Sequence, residues 1–288
     1  MSVWEELNIP IKELGTCGKS CTWALNTSAG VLVISGTGAM HTPWQEESFP
    51  DYHDDYHYYN VSPWGSEYGS SMLRRLIIEE GVTEVDAKAF AYCSGLESVS
   101  LPSTLEVIER RAFYGCDALQ ELILPDNLCA LGEEWTGGCA ALHHVHLGAK
   151  TKLPEEGDLF PFCSKLTEVT VSAENPYYIV HNGLLLQRDE QGAYSRLLWC
   201  AADAKCVYVP ETVKAIEKDA FFGCPKLKQL HIPASVQVLP DRITVRNEDL
   251  TVFVERDSEA DRRREMFTER KNKVRYESGL FGFLHKKV

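Results

Sequence analysis

Two groups of residues hold the side chains best suited to chemistry. Within residues 41–71, His53, Asp54, Asp55 and His57 bring two imidazoles and two carboxylates close together in sequence, a donor set suited to a divalent metal or ligand. His53 and His57 share a face only on a helix, and the Tyr, Asn and Pro residues around them oppose one. The segment therefore reads as a long surface loop or a compact omega-like loop whose aromatics pack back onto the N-terminal cap. The second group is His144 and His146, which alternate on one short apolar stretch, with Glu121 and Glu168 one repeat to either side. Geometry allows a metal on His144, Glu121 and Glu168. Side chains of a flat ladder diverge, however, so the group reads as a binding patch whose imidazoles change charge near neutrality. No catalytic residue is assigned: the chain has no G-x-S-x-G elbow, phosphate loop, H-E-x-x-H or dinucleotide fingerprint. Cys17 and Cys21, followed by isolated Cys129, Cys200 and Cys206, lack the paired spacing of a zinc site. The expectation is a non-enzyme with no metal and no cofactor.

What positions the second group is a repeat. Leu73, Leu96, Leu119, Leu142 and Leu166 recur at spacings of 23, 23, 23 and 24. A period of this length signals a stacked solenoid, because one short unit cannot bury its own apolar face. Each unit starts with an inward pair on a strand, such as Leu76 and Ile78, Val99 and Leu101, Leu122 and Leu124, or Val145 and Leu147. Pro102, Pro125, Pro210 and Pro233 then end the strand. A second pair follows, and then a small residue and a ring (Ala89 and Phe90, Ala112 and Phe113, Ala220 and Phe221) on a brief helical turn. Each ring contributes about 2 to 3 kcal/mol by burial. Cys93, Cys116, Cys139, Cys163 and Cys224 occupy one repeat position and read as free, buried thiols.

Flanking segments close the array. Residues 22–36 alternate about Ser28, Ala29 and Gly30 and predict a hairpin with Trp23, Leu25, Leu32 and Ile34 on its buried face. Such a hairpin would cover the first coil's strand edge. Between 172 and 205 the period is lost, and Gly183 between two apolar runs predicts a hairpin, with a further strand in YSRLLWC. Leu250–Val254 predicts a strand, Ser258 an N-capped helix, and Val274 with Tyr276 a last strand. The tail from residue 279 holds Leu280, Phe281, Phe283 and Leu284, which fold back or dock. Three divisions follow: 1–71 as lead-in, hairpin cap and loop; 72–249 as the solenoid with its insertion; 250–288 as the C-terminal cap and tail.

Charge and hydropathy exclude other classes. A formal net charge of -13 opposes nucleic-acid binding. The longest basic run, Arg262 to Arg264, falls on the expected helix and reads as a solvated face. No stretch approaches the length of a transmembrane helix. Residues 1–15 show no secretory pattern, which reads as a cytoplasmic location. A secreted or cell-surface location is the alternative if the chain is a fragment or a mature form.

The units VTEVDAKAFAYCSGLESVSLP, LEVIERRAFYGCDALQELILP and VKAIEKDAFFGCPKLKQLHIP resemble the BspA-like, or Treponema pallidum type, leucine-rich repeats. GTCGKSCTWALNTSAGVLVISGTGAM with SPWG is similar to that family's N-terminal segment, NPYYIVHNGLLLQ to its hairpin insertion, and LTVFVERDSEADRRREMFTERKNKVRYES to its closing strand, helix and strand. The resemblance implies a right-handed leucine-rich repeat solenoid, β-rich with some α, its parallel strands stacked between an N-terminal β-hairpin cap and a C-terminal strand-helix-strand cap. It also implies a bacterial, non-catalytic scaffold for a protein partner, with an exported adhesin or host-interaction protein as alternative and a metal protein or hydrolase on the His and Glu rungs as a further one. The outward strand positions are the expected binding face: Arg75, Ser98, Glu121, His144, His146, Glu168, Tyr208 and His231. Partner identity and oligomeric state are left open.

Overall fold

The computed structural model describes residues 3–41, 44–46, 58–60, 64, 72–155, 159–241, 249–268 and 272–277. His53, Asp54, Asp55 and His57, and the apolar tail from residue 279, lie outside the described residues. The chain divides into two compact units, Met1–Cys163 with Ser172–Asn175, and Ser164–Val171 with Pro176–Val288.

In the first unit a short helix, α1 (Val3–Leu7), leads into three antiparallel strands, β1 (Glu13–Thr16), β2 (Cys21–Asn26) and β3 (Val31–Gly36). The β2–β3 hairpin buries Leu25, Leu32 and Ile34 completely, as the alternation requires, while Trp23 is half-buried. Strand β3 then runs parallel to Arg75–Ile78, which in turn runs parallel to Ser98–Ser100. A second parallel sheet joins Gly38–Ala39, Val82–Val85, Val107–Ile108 and Ala130–Leu131.

The third side of each coil differs from the brief helical turn expected there. Lys88, Arg111 and Glu134 have φ of 54°, 56° and 52°, and Tyr92, Gly115, Gly138 and Phe162 have φ of 60°, 71°, 75° and 61°. Left-handed residues at these two repeat positions turn alternate amides toward the next coil. Lys88, Phe90 and Tyr92 donate to the carbonyls of Arg110, Ala112 and Tyr114, and Arg111, Phe113 and Gly115 donate to those of Glu133, Trp135 and Gly137. A continuous helix would direct those amides along its own axis and leave the coils unbonded on this side.

Rings and thiols fill the interior behind this ladder. Phe90 and Phe113 stack with centroids 5.5 Å apart. Trp64 extends the row, 6.2 Å from Phe90 and 5.6 Å from Trp23, and its Nε1 donates to the Ala89 carbonyl at 3.0 Å. In the third coil Trp135 and Thr136 replace the Ala and Phe, and Trp135 packs 6.0 Å from Phe160. The cysteines are free. Cys116, Cys139 and Cys163 donate their S–H to the carbonyls of Phe90, Phe113 and Thr136, one coil back, at 3.2, 3.2 and 3.0 Å. Burial pushes the Cys93 thiol up to about 12, so it stays protonated and inert.

The second unit opens the repeat with an antiparallel meander, Tyr178–His181, Leu184–Arg188 and Tyr194–Cys200. Asn182 and Gly183, at φ 51° and 75°, make its first turn, the Asn-Gly pair that a tight hairpin favours. Tyr194–Cys200 then pairs in parallel with Ala215–Ile216. Four parallel strands follow in one sheet: Cys206–Tyr208, Gln229–Ile232, Thr251–Val254 and Lys273–Tyr276. Phe221, Leu230, Val252 and Phe267 sit in their common core. Ser258 caps the helix Glu259–Arg262 by accepting from the Asp261 amide. Arg262, Arg263 and Arg264 are each engaged in an ion pair, with Glu259, Asp241 and Asp261. Among the described residues no helix is long and apolar enough to cross a membrane.

Candidate functional site

Strand alternation sends Leu76, Leu122 and Val145 into the core. The intervening residues are turned outward, and their neighbours decide whether they stay open. In the first unit Arg75 lies opposite Ser98 in one sheet, and Glu121 and Ile123 lie opposite His144 and His146 in the next. Ser98–Ser100 ends one sheet and Glu121–Ile123 begins the other, so the ladder of backbone bonds is interrupted between the second and third coils. Arg75, Ser98, Ser100 and Glu121 are exposed. Ile123, at 45% exposure, is an apolar side chain in the middle of this polar row. Ile77 departs from the outward pattern: with Val31 and Val33 it packs under Val3, Trp4, Leu7 and Ile9. The lead-in helix thus covers Ile77 in the first coil and leaves Arg75 open.

His144 and His146 are half-buried. The Nδ1 of His144 is 3.7 Å from the Glu121 carboxylate, a contact that becomes an ion pair when the ring is protonated. Burial and the neighbouring His144 hold the pKa of His146 below the usual imidazole range, with Asp126 opposing them. The unfolded chain therefore takes up this proton first as pH falls. Stability from a neutral His146 is intact above the unfolded imidazole value and declines as pH drops below it. His146→Gln is expected to lose less of its urea midpoint than wild type between about pH 7 and pH 5, spanning the unfolded value. Parallel losses in the two proteins would contradict this.

In the second unit Glu168 and Tyr208 are exposed. His231 requires a correction. Its position on the strand is outward, as alternation demands, yet it is only 8% exposed. Its ring lies between Tyr208 and Phe253, with centroids 4.1 and 4.2 Å away, and its Nδ1 meets the Glu277 carboxylate. Three rings at one repeat position on parallel strands stack and exclude water from the middle one. The register Tyr208, His231, Phe253 was visible in the sequence as outward aromatics about one period apart. His231 is a packing residue of the closing sheet. Burial, followed by Cys206 and Glu277, raises the Tyr208 hydroxyl above its ordinary value.

Among the described residues no cluster of three or more His, Cys, Asp or Glu side chains is arranged to hold a metal ion. The described geometry instead presents short parallel strands, repeated at coil spacing, that bury one face and display the other. That makes the protein a repeat scaffold of the solenoid class. Residues 67–180 and 199–253 match the BspA type leucine rich repeat region in 6 copies. The chain belongs to that family, and its fold is the leucine-rich repeat solenoid. No curated protein matches the sequence.

Among solved structures, a leucine-rich repeat protein from Eubacterium ventriosum ATCC 27560 is similar at 18% identity and a TM-score of 0.54, covering 85% of this chain and 73% of its own. A leucine-rich repeat protein from Bacteroides ovatus ATCC 8483 shares 17% identity over 82% of this chain and 70% of its own, at a TM-score of 0.44. A leucine rich cell surface protein from Faecalibacterium prausnitzii A2-165 shares 17% identity over 93% and 96%, at 0.41. At 18% identity the likeness to the Eubacterium ventriosum protein is one of fold. Repeats of this kind are typically interaction scaffolds and not enzymes.

Proposed function

We propose that the protein is a non-catalytic scaffold that binds a protein partner through the open strand row of its first unit. The observation that carries this reading is Ile123, an exposed aliphatic side chain set among Ser98, Ser100, Glu121, His144 and His146. An apolar centre with a polar, hydrogen-bonding rim is the composition of a protein-binding surface. Arg75, exposed on the same strand as the covered Ile77, begins the row. In this reading residues 72–249 are the working scaffold, and 1–71 and 250–288 close it. Glu168 and Tyr208 are candidate contacts of the second unit.

The test is capture of partners from the native cells on immobilised wild type and on the triple variant Glu121→Ala, His144→Ala and His146→Ala. Partners retained by wild type and lost by the variant, at an unchanged urea midpoint, support the face. Equal capture by both removes it. About one equivalent of zinc in the native protein, lost with His144→Ala, would replace the scaffold reading with the metal one.

A further inference from the structure

The first unit has a strand edge at the outer side of β1. This strand ends its sheet, and among the described residues no other strand pairs with its free side. Cys17 donates its amide to the Cys21 carbonyl at 2.9 Å. With the register Gly15 to Trp23, that bond sets the antiparallel alternation: Glu13, Gly15 and Cys17 face β2, whereas Leu14 and Thr16 turn their N–H and C=O groups outward. The side chains beside this edge are mixed: exposed Lys12, Glu13 and Thr16 lie among two exposed apolar residues. Leu14 is 73% exposed and Ile11 is 44% exposed. The edge strand of the second unit, Lys273–Tyr276, carries two basic residues, Lys273 and Arg275, of the kind that keep strand edges from pairing, whereas the one charged residue within β1 is Glu13.

We propose that the β1 edge pairs with the β1 edge of a second copy of this chain, antiparallel and centred on Gly15. In that register Leu14 of each copy exchanges backbone hydrogen bonds with Thr16 of the other, so every outward group of both strands is used. The pairing is isologous, the same patch serving both copies about a two-fold axis. Gly15 then faces its own counterpart across a non-hydrogen-bonded pair, where Cα atoms approach to about 4.5 Å. Glycine suits that position. A methyl on Gly15 would stand 2.8 Å from the Trp23 ring, so glycine lets that ring lie across the strand. Opposed residues of an antiparallel pair share a face, which brings both Trp23 rings to the same side of the dyad, while on the other side each Leu14 stands opposite Thr16 of the second copy and diagonal to its Leu14. Exposed Leu14 thus gains the Thr16 methyl across from it and a diagonal leucine, and the backbone pairing selects an extended strand as its occupant.

Four residues of edge place the contact at the small end of specific interfaces. The dimer is therefore weak and depends on concentration. Sedimentation velocity on the full chain from about 10 to 500 µM, the range a small interface populates, is expected to show monomer passing to dimer. Amide exchange at Leu14 and Thr16 slows over the same range. Thr16→Pro removes an outward N–H at a position where an edge strand tolerates proline, and Leu14→Lys places a charge beside the edge. Both variants stay monomeric at 500 µM while keeping the wild-type urea midpoint; if one fails to fold, the other serves alone. A wild-type protein that is monomeric throughout, or a dimer that survives in the folded variants, overturns the proposal.

Discussion

Trp64→Ala lowers the stability of the first unit by about 3–5 kcal/mol, the loss seen when a buried Trp or Phe is truncated. Equilibrium urea unfolding measures it. Trp64 is fully buried although its neighbours in sequence belong to the aperiodic stretch 41–71. Its ring joins Trp23 of the hairpin to Phe90 of the first regular coil. Two polar bonds accompany the packing: the indole N–H to the Ala89 carbonyl at 3.0 Å, and the Cys93 thiol to the Trp64 carbonyl at 3.7 Å. Trp64→Phe separates the contributions. It keeps a ring but removes the N–H that donates to the Ala89 carbonyl, and one hydrogen bond contributes about 0.5–1.5 kcal/mol net. A loss below about 1 kcal/mol for Trp64→Ala, the scale of a surface change, would mean that Trp64 does not tie the hairpin to the coils.

Phe113→Ala has an effect of the same order, about 3–5 kcal/mol, but spreads differently. Phe113 stacks on Phe90, and its amide donates to Trp135 of the following coil. The cavity therefore opens between coils that contact only their neighbours, and in a solenoid the interface term is lost on both sides. Hydrogen exchange should show lost protection in the amides of Phe90, Tyr92, Phe113 and Gly115, which make the coil-to-coil bonds of this row. Protection unchanged there, with a small stability loss, would show that the coils are held by their strands alone.

The repeat positions were readable because their physics is local and periodic. Leu73, Leu96, Leu119 and Leu142 are all fully buried, since the same strand and turn geometry recurs each period and aims the same position inward. The hairpin, the Asn182 and Gly183 turn, and the Ser258 cap were legible for a similar reason: each is set by two to six adjacent residues. For Trp64 only the packing of the loop's aromatics onto the cap was legible and not its particular partners, because no period leads to it and they lie up to 41 residues away at Trp23. The left-handed turns were also missed. Lys88, Arg111 and Glu134 are not residues that announce a positive φ, and the coil-to-coil amide bonds compensate for it.

For the candidate face, alternation alone determined which side chains leave the core: Arg75, Ser98, Glu121, His144, His146, Glu168, Tyr208 and His231. Only the tertiary structure decided which outward positions meet water. Ile77 lies under the lead-in helix, and His231 lies between two rings. Direction out of a strand is a property of its own backbone, repeating every second residue. Exposure depends on what elements distant in sequence lay over that position, and the period of the repeat carries no information about them.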